Sequence, residues 1–301
     1  MKPTQLGLLV ALGAIWGMSY VFIRVAAPVV GPVPLMAFRF AVGGAILTGY
    51  VVVTGKGRAL WDGLRTQWKE FLLLGLFLMA FPTVLIGYAE LGISASLASV
   101  LNASVPFFAA AAAFVLLGEL MSFRQVGGLV LGFAGVAVAV GGVALNLGWN
   151  VVPFAAGSIV AAASYGVASV YIQRSRLRTI GTTSSAAAQL MATALLVPLV
   201  PITVQSTHVS PAVIGSALGL ALLSTAVAYI IYFHLIETVG PTQASTVTFI
   251  SPIAGILGGA ALLGEPVGYG LVVGLALIFT GILLSSRELG ILERLRRRAS
   301  V

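Results

Sequence analysis

Cysteine is absent from the 301-residue chain, which removes disulfides, thiolate nucleophiles and cysteine metal sites and leaves the redox compartment open. Charge is nearly as scarce: Asp, Glu, Lys and Arg make up 8 % of the residues, against roughly 25 % in an ordinary soluble domain. So thin a supply of charge excludes a soluble enzyme. An intramembrane enzyme is equally hard to build. The two histidines and eight acidic residues fall near helix ends or in loops, so no catalytic or metal-binding constellation assembles at one depth. The 36 glycines and 13 prolines follow no Gly-X-Y period, which excludes a collagenous chain. No stretch has the mixed polarity of a separate water-facing domain. What is present is apolar: 59 % of the residues are hydrophobic and mean hydropathy is +1.09, so the bilayer is the solvent.

A spanning helix needs about 20 mostly apolar residues to cross about 30 Å of hydrocarbon. Ten segments meet that length, at about 6–24, 34–54, 69–89, 94–117, 124–144, 151–173, 183–203, 211–234, 242–263 and 267–286. Their apolar runs are continuous rather than alternating, which argues for helices and against the strands of a barrel. The expected fold class is therefore an all-α membrane protein with ten transmembrane helices. The seventh segment is the weakest, because Ser184, Ser185, Gln189 and Thr193 precede Pro198 and Pro201 and also fit a shorter or broken helix. The first segment has some marks of a signal peptide in Lys2, its apolar run and the small pair Ala26 and Ala27. Its run is long for a signal, and it has a counterpart later in the chain.

Short loops rich in Lys and Arg stay cytoplasmic. With successive loops on alternate faces, 14 of the 16 basic residues fall on one side, and only Arg24 and Arg39 fall on the other. This predicts both termini in the cytoplasm. Omitting the seventh helix would carry the basic tail, residues 287–301, to the face opposite the other basic loops. The Arg296 to Arg298 run reads as a topology determinant with attraction for anionic lipid. No aromatic or glycine-rich binding module accompanies it, so no nucleic acid partner is expected.

The chain repeats itself at an offset of 146 residues. Ala98-Ser99 matches Ala244-Ser245, Pro106 matches Pro252, Leu117-Gly118-Glu119 matches Leu263-Gly264-Glu265, and Gly128 and Gly135 fall on Gly274 and Gly281. At an offset of 149, Trp16, Gly17 and Val21 fall on Tyr165, Gly166 and Val170. Each copy holds five helices, an odd number, so the second enters the membrane from the opposite side. The expected architecture is two inverted five-helix repeats, residues 1–145 and 146–286, an arrangement characteristic of secondary transporters.

The ten-span layout, Trp16-Gly17, and the two segments running from Pro106 to Glu119 and from Pro252 to Glu265 resemble the EamA-type members of the drug/metabolite transporter superfamily. The resemblance covers essentially the whole chain. It implies export or exchange of small metabolites, amino acids including aromatic ones among them, from a cavity between the halves, with the aromatic amino acid exporters as the nearest comparison.

Three groups of residues are candidates to carry transport. Pro106 and Pro252 each lack an amide and leave the carbonyl four residues earlier unpaired, at Asn102 and Thr248, which also have polar side chains. Such positions suit a polar substrate or a bending gate, unless neighbouring helices satisfy them. The second group is aromatic. Trp16 and Tyr20 share one helix face, Tyr165 and Ser169 repeat that spacing, and Met79, Tyr229, Tyr232 and Phe233 lie on the third and eighth helices. They fit the wall of a mostly apolar substrate pocket, with ordinary packing as the competing explanation. The third group is Arg24, Arg39 and Glu90, which could meet in a gate near the outer face or extend to the headgroups. Glu119 and Glu265 follow glycine at helix ends and read as caps. No acidic residue lies at the centre of a span, which weakens proton antiport through a membrane-embedded carboxylate.

The expected function is an alternating-access exporter or exchanger of amino acids and related metabolites in the bacterial cytoplasmic (inner) membrane. A broad drug or cation exporter and a channel-like facilitator are the alternatives. Besides substrate and lipid no partner is expected other than a second copy of the chain, and neither cofactor nor metal.

Overall fold

The computed structural model describes residues 2–118, 120–174, 181–206 and 208–285. Glu119, the arginines at 176 and 178 and the basic tail lie outside them. Every regular element among the described residues is helical. In chain order these are α1 (Pro3–Val30), α2 (Pro32–Val53), α3 (Gly57–Thr66), α4 (Trp68–Ala89), α5 (Ala95–Asn102), α6 (Val105–Leu117), α7 (Phe123–Leu147), α8 (Val152–Arg174), α9 (Thr182–Thr203), α10 (Pro211–Val239), α11 (Pro241–Ser245), α12 (Val247–Leu263) and α13 (Tyr269–Ser285). Nine stretches among the described residues are long and apolar enough to cross a bilayer. The tenth apolar helix, α13, is described over 17 residues, about 25 Å at 1.5 Å per residue.

Helix ends follow local chemistry. Ser94 and Ser210 accept hydrogen bonds from the Leu97 and Val213 amides, and Ser122 forms a capping box with Gln125. Gly118 and Gly264 end α6 and α12 in the left-handed conformation, with φ of 67° and 64°, where a side chain would be strained. The seventh segment keeps its length despite its polar residues because Ser184, Ser185 and Gln189 face protein rather than lipid. It tightens into a 3₁₀ turn at Val197–Leu199, where Pro198 sits.

Three further departures from ideal helix shape the interior. The fourth span breaks after Asn102, so Pro106 lies in the first turn of α6, where its missing amide deprives no helical bond. The carbonyl clash expected at Asn102 is thereby avoided, whereas Pro252 stays inside α12. Both α4 and α10 contain a π-helical turn, at Gly75–Ala80 and Leu222–Val227. Helix α3 was not anticipated. Its Leu60 is buried while Trp61 is exposed beneath the Arg65 guanidinium at 4.6 Å, the pattern of an amphipathic helix at an interface.

The helices pack closely at glycine. In α7 and α13, Gly128 opposes Gly281, Gly135 opposes Gly274 and Gly142 opposes Gly270. A Cβ on Gly135 would stand 2.7 Å from the Gly274 carbonyl oxygen, and one on Gly274 the same distance from that of Gly135. In the same way Gly17 of α1 abuts Ala254 and Gly255 of α12, and Gly166 of α8 abuts Phe108 and Ala109 of α6. With no hydrophobic drive between helices in lipid, such backbone approach is a main source of association.

Gly135→Ala is expected to destabilise the protein by about 1–3 kcal/mol through overpacking. Gly141→Ala, where an added Cβ meets nothing within 4 Å, is expected to leave stability unchanged or slightly raised. Thermal unfolding of the purified protein in detergent compares the two.

Candidate functional site

The interior site is organised by the π-turn of α10. Its widened helix lets the Thr225 hydroxyl donate to the Leu220 carbonyl, five residues back, at 2.9 Å. The same oxygen accepts the Arg39 Nε of α2 at 2.8 Å. Thr225 is the middle residue of the 29-residue α10, so this contact lies well inside both helices. Next to it, the Ser224 hydroxyl donates to the Ile15 carbonyl of α1 at 3.1 Å. The π-turn of α4 is tied down likewise, its Phe77 carbonyl accepting the Ser164 hydroxyl of α8 at 2.7 Å. Distorted turns leave backbone groups in need of partners, and here a serine of α8 serves the turn of α4 while Thr225 of α10 itself serves the Leu220 carbonyl.

Arg39 is 9 % exposed. Apart from Thr225 its near neighbours are Met36 Sδ, 4.0 Å from one terminal nitrogen, and the Phe40 ring, centred 5.5 Å from the guanidinium carbon. The titratable groups around it are the hydroxyls of Tyr20, Tyr165 and Tyr229, contributed by α1, α8 and α10. Asn102, at the break between α5 and α6, brings its side chain to the Tyr20 hydroxyl, and its side-chain amide oxygen Oδ1 is buried without a hydrogen-bond partner. The Tyr229 hydroxyl reaches Met79 Sδ of α4 at 3.4 Å. Trp16 closes one side, with its ring centre 6.2 Å from that of Tyr229 and 5.2 Å from that of Tyr232, and Phe233 packs on both tyrosines. The arrangement offers one buried cation, several hydroxyl and amide groups and an aromatic wall, which together fit a small molecule with an acidic head and an apolar body.

Six of the eight substrate candidates, Trp16, Tyr20, Met79, Asn102, Tyr165 and Tyr229, meet here. The other two do not join them. Ser169 turns its hydroxyl to the Gly166 carbonyl at 2.7 Å, and Thr248 is exposed and bonds the Ser245 carbonyl at 2.9 Å. Of the gate candidates, Arg39 sits with the tyrosines, while Arg24 donates to the main-chain carbonyl of Glu90. Pro106 is half-buried, and Pro252 is buried with its carbonyl 3.4 Å from the Ser99 hydroxyl. Thr225 and Ser224 escaped the sequence reading. The available signal was a polar pair in the centre of an otherwise apolar run.

At the Glu90 end, Glu265 caps a helix other than its own. Its carboxylate accepts the Ala95 and Ser96 amides at 2.8 and 2.9 Å and the Ser96 hydroxyl at 2.6 Å, at the start of α5. A negative charge at a helix N-terminus is stabilising. Gly259 makes room for it, since a Cβ there would collide with both the carboxylate and Ser96.

The model of the EamA-like transporter family matches residues 5–141 and again residues 153–287. An uncharacterized transporter of Archaeoglobus fulgidus is 26 % identical over 283 residues, covering 91 % of this chain and 95 % of its own. The uncharacterized inner membrane transporter YedA of Escherichia coli K12 is 28 % identical, with 86 % and 83 % covered. A probable terminal-alkyne amino-acid exporter of Streptantibioticus cattleyicolor is 27 % identical over 70 % of each chain. A protein crystal structure superposes with a TM-score of 0.64 at 20 % identity, covering 95 % of this chain and 98 % of that one, a likeness of fold. With two matches that together take in most of its length, this chain is a transmembrane transporter belonging to the EamA-like transporter family.

Proposed function

We propose that the protein exports or exchanges amino acids, aromatic ones among them, and related small metabolites across the bacterial cytoplasmic membrane by alternating access. In this reading ten spans form two inverted five-helix repeats, residues 1–145 and 146–286, with both termini in the cytoplasm. Contacts that exchange with one another under the repeat offset support it. Adding 146 to Gly128 and subtracting it from Gly281 turns their contact into that of Gly274 with Gly135. Gly17 against Ala254 and Gly255 corresponds to Gly166 against Phe108 and Ala109. The Ser224 bond to Ile15 has a near counterpart, one residue out of register, in the Ser164 bond to Phe77, with the hydroxyl on the opposite partner. Equivalent contacts in the two halves are what allow the halves to trade conformations.

The observation that carries the substrate is Arg39: a buried guanidinium whose titratable neighbours are tyrosine hydroxyls. Burying a cation without an anion is expensive. A substrate carboxylate is the natural counter-ion, and a guanidinium can grip it with two parallel hydrogen bonds. Trp16, Tyr229, Tyr232 and Phe233 then stand where an apolar or aromatic side chain would follow. A cationic substrate would meet Arg39 as a like charge, which disfavours the cation-exporter alternative. The amino-acid exporter among the relatives supports the same class.

In proteoliposomes the protein is expected to move at least one of labelled Phe, Trp, Tyr, Met and Thr with saturable kinetics. Inertness toward all five overturns the substrate class, and flux that never saturates points to a channel. Arg39→Gln is expected to raise the half-saturating concentration about 10- to 100-fold, from loss of a charge-assisted bond of about 1.5–3 kcal/mol. Thr225→Val is expected to cost less, about fivefold.

Because the chain has no cysteine, Trp16→Cys, Asn102→Cys and Tyr229→Cys, all three at the site described above, can be labelled without background. Reaction with a water-soluble thiol reagent and protection by substrate are expected, and inertness at all three positions overturns the cavity.

A further inference from the structure

Glu90 is not used by the substrate site. It lies one residue beyond α4, outside the apolar span, and is 0 % exposed. Neither carboxyl oxygen has a hydrogen-bond partner. The adjacent Arg24 guanidinium bonds the Glu90 main-chain carbonyl instead of the carboxyl. The other charged or titratable groups facing it are Glu265, from the segment between α12 and α13, and the Tyr20 hydroxyl of α1. Three donors at the start of α5 converge on the Glu265 carboxylate. Glu90 has no such donors. Of these two neighbouring acids only Glu265 is provided with donors, while Glu90, fully buried, is left to keep a proton. Burial first, and then the Glu265 carboxylate, push the Glu90 carboxyl well above the usual carboxylate range, with Arg24 pulling the other way.

We propose that Glu90 is a proton-binding site whose occupancy holds this end of the transporter closed. Un-ionised, the carboxyl tolerates enclosure, and α5 stays docked on Glu265. When the proton passes to water at this face, a second carboxylate stands unsolvated beside the first. Opening relieves it, by admitting water and freeing Arg24 to pair with the new charge. Rebinding a proton reverses the step. A group whose proton is held more tightly in the closed state than in the open one favours closure at low pH and loses that effect as pH rises. The site would let the protein exchange a proton with the medium at one face although no acid lies at the centre of a span. It is independent of which substrate Arg39 binds.

The absence of cysteine supplies the test. Ile93, three residues from Glu90 and 2 % exposed, is replaced in Ile93→Cys, and fully exposed Tyr269→Cys (Tyr269 is 92 % exposed) serves as reference for the pH dependence of the thiol itself. In proteoliposomes, labelling at 93 relative to 269 is expected to rise several-fold from mildly acidic to mildly alkaline pH. In Glu90→Gln, which mimics the protonated acid, it is expected to stay low throughout. A flat profile in the Ile93→Cys protein, or a Glu90→Gln profile that follows it, overturns the proposal. A second measurement needs no labelling. Infrared spectra of the cysteine-free protein at neutral pH are expected to show the carbonyl stretch of an un-ionised carboxyl group, lost in Glu90→Gln and kept in Glu237→Gln, a change at an exposed acid. Should Glu90→Gln fail to fold, lack of that band in the unmutated protein is by itself enough to overturn the assignment.

Discussion

In hydrocarbon a backbone must satisfy its own amides and carbonyls, since no water is there to do so. Each place where this protein departs from regular helix depends on meeting that demand. The π-turn of α4 is accompanied by a serine from α8, and the π-turn of α10 by its own Thr225 and by a serine bond to α1. The break in the fourth span is placed so that Pro106 falls where an amide is dispensable. These irregular turns are the points at which α1, α2, α4, α8 and α10 are joined, and the polar interior is built on them. If α10 were a regular helix, Thr225 would have no fifth-preceding carbonyl in reach, and the hydroxyl that orients Arg39 would point elsewhere.

Scarcity of charge makes the buried charges specific in their tasks. Arg39 is provided with hydroxyls and rings but no anion, which leaves its charge available to a ligand. Glu265 is provided with three donors and fastens α5 to the end of α12. Glu90, a short distance away, is provided with none. The three differ in which partners the fold brings to them, and that difference separates the proposed substrate contact, the structural cap and the proposed proton carrier.

Much of the architecture was legible because hydropathy along the chain is a local property. Spanning helices are continuous apolar runs, and the glycine-proline-glutamate repeat survives as matched residues, so the long helices and the six central site residues could be named. The amphipathic α3 was missed because ten residues of mixed polarity look like a loop until they are wound into a helix. The π-turns were missed because one extra residue in a turn does not alter hydropathy. The Arg39 partner could not be read from position along α2, because the Thr225 that binds it lies in the middle of α10.

The sequence by itself determined a membrane-embedded helical transporter with a doubled pattern, because apolar length, charge distribution and self-similarity need no knowledge of which helices touch. Only the tertiary structure decided which polar groups are satisfied and which are left over. Arg39 meets a threonine 186 positions away, and Glu265 caps a helix that begins 170 residues earlier. Desolvation and hydrogen bonding act between such distant segments, and whether a buried charge is a cap, a ligand for substrate or a seat for a proton depends on the neighbours that packing supplies.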